Sequence, residues 1–339
     1  MSESVIVGMS GGVDSAVAAY LLKEKGYKVT GCTLKFAQEN NKCCKIDDAR
    51  IVADKIGIDF LTRDVSSEFK QKIINEFVLK YSLGLTPNPC PPCNVIKFKD
   101  LLEIAEKNNI SYIASGHYAR IINDKLYSAK NLKKDQSYFL SRLSENLLRK
   151  IKLPLGSYTK NTIRQIAQKI NMHVAEKKDS QDICFVDKDY RTFLKNQGIK
   201  DKKGKVVDIN GRVFAEHKGI HNYTIGQRFR YPGLPERKYI LKTDINKNQI
   251  VIGTKDQLHS TKLQGKKLHI LDNASINKPL LFKVRYRDGF FPGRLIHDYS
   301  GRYSVDFEKP VDAITPGQLC VAYLKDEIGY RVVASGWIT

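Results

Sequence analysis

The first half of the chain alternates between short apolar runs and longer amphipathic stretches. The short runs have the length of strands and cover residues 5–9, 28–36, 59–65 and 111–119. Between them, apolar residues recur three and four positions apart, which predicts helices over 14–25, 47–57, 66–84 and 96–109. Gly26 is expected to end the first helix, and a serine is expected to cap the third. Strands that alternate with helices predict an α/β fold with a doubly wound parallel sheet.

The second half of the chain changes character. Residues 138–174 have a helical pattern, and short β-rich pieces separated by Gly and Asn follow from about residue 202. Beyond about residue 266 alternating runs predict a small all-β barrel. We therefore expect three domains: the doubly wound domain over 1–200, a small linking domain over 201–265 and a C-terminal β-barrel over 266–339.

Charge changes this picture more than composition does. The 339 residues are 42% hydrophobic and 27% charged, which is ordinary for a globular protein. No apolar run is long enough to span a bilayer, and the first residues, MSESVIVGM, lack the features of a secretory signal. We therefore expect a cytoplasmic protein with no membrane partner. The 57 Lys and Arg against 36 Asp and Glu give a net charge of +21, which favours a polyanionic partner such as nucleic acid.

Two stretches combine basic and aromatic residues. RFRYPGLPERK (228–238) and KVRYRD (283–288) interleave arginine with tyrosine or phenylalanine, a pattern suited to phosphates and unstacked bases. An exposed barrel strand is the alternative interpretation of the second stretch.

A glycine-rich segment, GMSGGVDSA, joins the first predicted strand to the first helix. It lacks the lysine of a Walker loop, and its glycines are not spaced as G-x-G-x-x-G. Backbone N–H groups at Ser10–Gly12 can face an anion where the helix begins, and the helix dipole adds to the attraction. Asp14 is unusual beside phosphates unless it holds Mg²⁺ or orients the loop. The segment resembles the loop of the PP-loop ATPase superfamily, whose members cleave ATP between the α- and β-phosphates.

The chain has seven cysteines, an odd number that argues against a disulfide framework. Cys32 and Cys320 lie in apolar runs and are expected to be buried. Cys93, in TPNPCPPCNVIKF, is expected just before a helix that starts near Val95, where the helix dipole favours a thiolate. Cys184, in DSQDICFVD, is expected in a short β-like piece flanked by aspartates.

The remaining cysteines leave other interpretations open. A zinc site would need Cys90 and Cys93 to join His217 and His221, because no second C-x-x-C or C-x-x-H pair is present. Cys43 and Cys44 are adjacent, so their side chains are expected to diverge, and we assign them no catalytic role.

Eight segments occur in order along nearly the whole chain: GMSGGVDSA, PNPCPPCNVIKF, ASGHYAR, KDQSYFL, LPLGSYTKNTIRQIA, DSQDICFV, YTIGQR and TPGQ. Together they resemble the family of bacterial tRNA-specific 2-thiouridylases within the PP-loop superfamily, whose catalytic domain is of the adenine nucleotide alpha hydrolase-like type. The resemblance implies a tRNA-uridine 2-sulfurtransferase that uses ATP and Mg²⁺. It implies the wobble uridine of the tRNAs for lysine, glutamate and glutamine as target, and a cysteine desulfurase or a sulfur-relay protein as sulfur donor.

The resemblance also implies roles for individual residues. Cys93 would be the catalytic nucleophile, and Cys184 would carry the terminal persulfide. Residues implied to bind ATP are Gly8, Met9, Ser10, Gly11, Gly12, Val13, Asp14, Ser15, Leu34 and Gly116. Residues implied to contact tRNA are Asn88, Pro89, Cys90, His117, Lys134, Asp135, Gln136, Arg285, Tyr286 and Gln318, the first three meeting a uridine flipped from its stack.

Two sulfur chemistries fit these residues. In the first, the persulfide route, no metal takes part. The Cys184 persulfide attacks the adenylated C2 directly, or Cys93 attacks the inner sulfur of the persulfide, which frees sulfide for C2 and forms a Cys93–Cys184 disulfide. In the second, Cys90, Cys93 and Cys184 hold a [4Fe–4S] cluster that binds sulfide.

Three other functions are compatible with parts of the sequence. A PP-loop ligase acting on a small molecule would need neither the cysteines nor the basic excess. A non-catalytic RNA-binding descendant is expected to have lost loop glycines or cysteines. Another tRNA thiolase, placing sulfur elsewhere, would not be expected to carry both YTIGQR and TPGQ.

Overall fold

The computed structural model of the chain describes residues 2–36, 46–175, 183–187, 189–232 and 236–339. Cys43 and Cys44 lie outside the described residues, as do Asp179 and Asp182 beside Cys184. The chain forms two compact units. The first comprises Met1–Ile73, Pro89–Asp187 and Lys325–Val332, and the second comprises Ile74–Asn88, Lys188–Leu324 and Val333–Thr339.

Helices and strands alternate up to residue 64, as the pattern predicts, and after that runs of consecutive helices and of consecutive strands interrupt the alternation. In chain order the elements up to residue 169 are β1 (Ser4–Gly8), α1 (Val13–Glu24), β2 (Lys28–Lys35), α2 (Ile46–Ile56), β3 (Asp59–Asp64), α3 (Ser66–Phe69), a π-helical segment (Lys70–Ile74), α4 (Asn75–Ser82), α5 (Cys90–Lys107), β4 (Tyr112–Ser115), β5 (Ala119–Ile122), β6 (Lys125–Ser128), α6 (Ser137–Leu140), α7 (Glu145–Lys150), β7 (Ile151–Lys152) and α8 (Lys160–Lys169).

The predicted parallel sheet is confirmed in the first unit. Its strand order is β3–β2–β1–β4–β7, and every neighbouring pair is parallel. Val5 and Val7 point to one face and pack with α1, α2 and α8. Gly8 points to the other face, where a Cβ would lie 3.1 Å from Leu101 of α5. Gly8 also stands opposite Cys32 and Ser115 in the register, so the segments after three strands emerge side by side at the carboxyl edge.

The ends of several helices differ from the expectation. Gly26 does follow α1, with a φ of +86°. Ser66 is not a cap but the first helical residue of α3, and its N–H donates to the carboxylate of Asp64. The helical stretch predicted after Tyr138 is interrupted between α6 and α7. Ser144 caps α7, because its side chain accepts a hydrogen bond from the Leu147 N–H.

The second unit has two β cores of its own. The elements beyond α8 are α9 (Tyr190–Asn196), β8 (Gly204–Val207), β9 (Val213–His217), β10 (Arg228–Phe229), β11 (Lys238–Asp244), β12 (Gln249–Gly253), β13 (His259–Ile270), β14 (Leu280–Lys283), β15 (Phe291–His297), β16 (Tyr303–Asp312), β17 (Leu319–Lys325) and β18 (Tyr330–Ile338). They lie in the second unit except for the last residue of β17 and the first three of β18. Strands β8–β12 form one five-stranded sheet. Strand β13 pairs with both β16 and β18, which closes the remaining strands into the predicted barrel.

The stretch at 283–288 is not an exposed barrel strand. Strand β14 ends at Lys283, and the chain then turns, with the Asp288 N–H donating to the Arg285 carbonyl. The strand pattern fails here because the Arg285 guanidinium ion-pairs with Asp288, three residues along, which a strand would hold too far away.

Candidate active site

The loop after β1 is built to expose backbone N–H groups. Gly11 has a φ of +74°, a left-handed conformation that favours glycine, and Gly12 is the N-cap of α1. The Ser15 hydroxyl ties the turn together by accepting from the Ser10 N–H at 3.1 Å and donating to the Gly12 carbonyl at 3.1 Å. The result is a preformed turn at a helix N-terminus, the position at which anions bind.

Asp14 is held by two side chains that the motif does not contain. The Lys160 ammonium, at the start of α8, donates to Asp14 Oδ1 at 2.8 Å and Oδ2 at 2.7 Å. The Tyr118 hydroxyl donates to Oδ1 at 2.6 Å. Of the two roles considered for Asp14, this arrangement favours orientation of the loop, because the carboxylate already has a cation.

The end of β4 packs directly on the start of α1. A Cβ at Gly116 would lie 2.7 Å from both the carbonyl carbon of Asp14 and the Ser15 nitrogen, so only glycine fits. The next residue, His117, shares a hydrogen bond of 2.8 Å between Nδ1 and the Ser115 hydroxyl. Burial, together with the Lys97 ammonium, lowers the pKa of His117 to about 3, so its ring is neutral near pH 7.

Cys93 lies inside helix α5, not before it. The helix begins at Cys90 with Pro89 as its N-cap, and the Cys93 N–H already donates to the Pro89 carbonyl at 3.1 Å. The expected start near Val95 is wrong because prolines are tolerated in the first helical turn, where N–H groups have no partner in the helix. Cys93 is half-buried and remains near the positive end of the helix dipole.

Cys184 lies in a turn, and the expected β-like piece is wrong. The Val186 N–H closes this turn on the Ile183 carbonyl at 3.0 Å, and Cys184 is exposed. The neighbouring Phe185 is 4% exposed and contacts Phe69 edge-to-face with ring centroids 5.7 Å apart. A buried aromatic anchor therefore holds the turn that presents Cys184.

Cys90, Cys93 and Cys184 lie near one another, but the described residues form no metal site around them. Burial, together with the nearby thiols of Cys93 and Cys184, raises the pKa of Cys90 to about 12. Within the described ranges, no three His, Cys, Asp or Glu side chains are grouped closely enough to hold a metal ion. Within those ranges the donor geometry does not favour the cluster chemistry.

The loop after β1, the end of β4, Cys93 and Cys184 line one cavity of about 270 Å³ in the first unit. Eleven of the residues singled out in the sequence line it, namely Gly8, Met9, Ser10, Asp14, Ser15, Leu34, Cys93, Gly116, His117, Gln136 and Cys184. Sequence reasoning missed four others, namely Cys32, Phe36, Lys97 and Ser115. Lys97 had a usable signal, because it lies four residues after Cys93 on the same helix face.

Cys32 and Cys320 are buried, as expected. Burial raises the pKa of Cys32 to about 12, so it is a poor nucleophile. Burial also raises the pKa of Cys320, in the barrel core.

Several residues expected at the tRNA have partners within their own unit. Asp135 is 2% exposed, and its carboxylate accepts from the Ala129 N–H, the Ser137 N–H and the Ser137 hydroxyl. A backbone hydrogen bond links Gln136 to Tyr118, since the Gln136 N–H donates to the Tyr118 carbonyl at 2.7 Å. These contacts shape the KDQ segment beside the cavity.

In the second unit the TPGQ segment holds the chain that leads to Asn88. The Gln318 amide donates to the Thr86 carbonyl at 2.7 Å, and the Thr86 N–H donates to the Pro316 carbonyl at 3.0 Å. Arg285 pairs with Asp288 at 3.0 Å, and Tyr286 lies in the same turn.

A parallel sheet with a glycine-rich phosphate-type loop at its carboxyl edge defines a nucleotide-binding domain of the PP-loop class. Family models match three consecutive segments of the chain: a tRNA methyl transferase HUP domain over residues 3–188, a tRNA methyl transferase PRC-barrel domain over 191–254 and an aminomethyltransferase beta-barrel domain over 260–338.

Curated relatives match nearly the whole chain. The tRNA-specific 2-thiouridylase MnmA of Fervidobacterium nodosum is 39% identical over 342 residues, covering 97% of this chain and 98% of its own length. The protein of the same name from Clostridium acetobutylicum is 40% identical over 344 residues, covering 95% and 97%. The chain therefore belongs to the MnmA family of tRNA-specific 2-thiouridylases.

Among solved structures, the U34-tRNA thiolase NcsA of Methanococcus maripaludis, with its [4Fe–4S] cluster, is 19% identical. The match covers 57% of this chain and 64% of that one, with a TM-score of 0.37, which is too low to bear on fold or mechanism. None of the helices in the described part of the chain is long and apolar enough to cross a bilayer.

Proposed function

We propose that this protein catalyses the ATP-dependent 2-thiolation of the wobble uridine in the tRNAs for lysine, glutamate and glutamine. The observation that carries the proposal is that Cys93 and Cys184 line the same cavity as the phosphate-type loop. Membership in the family along almost the whole chain supports it. The family models carry the words methyl transferase, but two cysteines beside a nucleotide loop favour sulfur transfer.

ATP is proposed to bind on residues 8–15 with Leu34 and Gly116 beside it. The C2 oxygen of uridine attacks the α-phosphate, so that pyrophosphate leaves and C2 carries AMP as a leaving group. Magnesium enters as part of Mg·ATP, because Mg²⁺ is commonly held by substrate phosphates and water with few protein carboxylates. Lys97, which lines the cavity, supplies positive charge beside the phosphates.

Sulfur arrives as a persulfide on Cys184, loaded by a cysteine desulfurase or by a relay protein. The terminal sulfur attacks C2 and expels AMP, and the Cys93 thiolate then attacks the inner sulfur, releasing 2-thiouridine. In the other order, Cys93 attacks first and the freed sulfide attacks C2. Either order forms the Cys93–Cys184 disulfide, which a thiol reductant must cleave before the next turnover.

The target base is proposed to meet Asn88, Pro89 and Cys90 after it leaves its stack. The remaining tRNA contacts are proposed at His117, Lys134, Gln136, Arg285, Tyr286 and Gln318. The buried Asp135 is proposed to support them by holding the segment between Lys134 and Gln136 in place. A net charge of +21 supports a long polyanionic substrate. With tRNA as the substrate, we propose the cytoplasm as the compartment, a catalytic domain over 1–200, and tRNA-contacting domains over 201–265 and 266–339.

The test uses anaerobically purified wild type and single alanine variants of Cys90, Cys93, Cys184 and Cys320. Each receives Mg·ATP, unmodified glutamate tRNA, a cysteine desulfurase and cysteine, and thiolated tRNA is read on a mercury gel. We expect product to be lost in the Cys93 and Cys184 variants only, with Cys320→Ala as the matched control. Product that tracks iron content and also requires Cys90 would replace persulfide transfer with cluster chemistry, and full product from Cys184→Ala would refute both.

A further inference from the structure

Lys160 is a nearly buried lysine whose ammonium lies against a carboxylate of the cavity. It is 9% exposed, and its Nζ lies 2.8 and 2.7 Å from the two oxygens of Asp14. The Tyr118 hydroxyl holds one of these oxygens from another direction, at 2.6 Å. Both partners are distant in sequence from the SGGVDS motif.

Asp14 creates an electrostatic problem for a site that accepts phosphates. Among the described residues that line the cavity, it is the one with a carboxylate, and it lies in the first turn of α1, at the end where an anion would bind. A second negative charge beside the phosphates would weaken binding in a low-dielectric site. The Lys160 ammonium cancels that charge where it arises.

We propose that Lys160 is a positioning residue that neutralises Asp14 and holds it away from the nucleotide, so that the loop can accept the phosphates of ATP. The proposal rests on the proposed function, because it takes ATP as the ligand of this cavity. Removal of one partner of a nearly buried ion pair leaves an uncompensated charge, whereas removal of both leaves none. We therefore expect that removing the Lys160 ammonium lowers the affinity for ATP, and that removing the Asp14 charge as well restores it.

The experiment compares full-length wild type with Lys160→Met, Asp14→Asn and the double variant by calorimetric titration. Each protein is titrated with Mg·ATP and separately with adenosine, which has no phosphate. We expect Lys160→Met to weaken ATP binding about 30-fold, or about 2 kcal/mol at 25 °C, and to leave adenosine binding unchanged. The double variant is expected to recover ATP affinity to within about 3-fold of wild type, under 1 kcal/mol.

The matched control is Lys23→Met, which removes an ammonium from the other end of α1. Lys23 donates to the backbone carbonyls of Ile56 and Gly57 and does not line the cavity, so both affinities should stay unchanged. Thermal unfolding of every variant shows whether it is folded at the titration temperature.

Several results would overturn the inference. If the double variant binds ATP as weakly as Lys160→Met, then Lys160 acts on the nucleotide itself or Asp14 is needed for its own charge. If Lys160→Met weakens ATP and adenosine equally, its role is merely structural. If the wild-type protein binds no ATP, the proposed function itself is wrong. If the wild-type protein binds ATP and none of the variants changes its affinity, only the role proposed for Lys160 is wrong.

Discussion

Gly116 offers a sharp test of how the phosphate-type loop is held. A methyl group there would lie 2.7 Å from the Asp14 carbonyl carbon and the Ser15 nitrogen, and 2.9 Å from the Asp14 oxygen. Ordinary contacts begin at 3.4 Å, so a displacement of 0.7 Å is needed to restore one after Gly116→Ala. All three atoms are backbone, and they belong to the first turn of α1, which cannot rotate away as a side chain can.

Overpacking of this kind costs about 1–3 kcal/mol. For a unit of this size that corresponds to a fall of about 2–12 °C in the unfolding midpoint. Because the displaced atoms carry the loop, ATP affinity is expected to fall as well. Thermal unfolding and a titration with Mg·ATP measure the two effects on the same sample.

Two other glycines make the result interpretable. Among the described atoms, a Cβ at Gly12 would meet only the Ser10 hydroxyl, at 3.5 Å, so Gly12→Ala should keep its unfolding midpoint and lose ATP affinity through the methyl group facing the phosphates. No described atom lies within 4 Å of a Cβ at Gly289, so Gly289→Ala should change neither. A Gly116→Ala protein that melts and binds ATP like wild type would refute the reasoning.

Three further predictions concern the rest of the site. Phe185→Ala should lower the thiolation rate about 10-fold with ATP affinity unchanged, because it frees the Cys184 turn from Phe69 at a cost of about 3 kcal/mol of local packing; an unchanged rate under single-turnover conditions would contradict it. Gln318→Ala should raise the KM for tRNA several-fold, since it removes the hydrogen bond that holds the chain before Asn88, and Gln318→Glu, which cannot donate, should do the same. The His117 ring has a folded pKa below its unfolded one, so the unfolded chain binds the proton first and stability should fall as pH falls from about 6.5 towards 3; NMR should show no titration of this ring between pH 5 and 8.

Local sequence determined much of the fold. The alternation of apolar runs and amphipathic stretches predicted the parallel sheet, because a strand and a helix bury their apolar residues with different periods. The glycines of SGGVDS and the strand before them predicted the phosphate-type loop, since only backbone geometry and nearby residues shape such a turn. The strand pattern beyond residue 266 predicted the barrel for the same reason.

Local rules also explain the errors. The predicted start of α5 is wrong because the prolines of PCPPC are typical of a loop. Proline is nevertheless tolerated in a first helical turn, where an N–H would have no partner within the helix. Cys184 was assigned to a β-like piece from a short apolar run, although that run contains Phe185, whose ring is buried against Phe69.

Only the tertiary structure decided how the site is held together. Lys160 is 146 residues from Asp14, and no periodicity or motif links an ammonium at the start of one helix to a carboxylate at the start of another. Gly116 meets Asp14 and Ser15 because β1 and β4 are neighbours in the sheet, which the order of strands along the chain does not state. Such contacts depend on which elements pack together, and packing is a property of the whole fold that no single stretch of the chain contains.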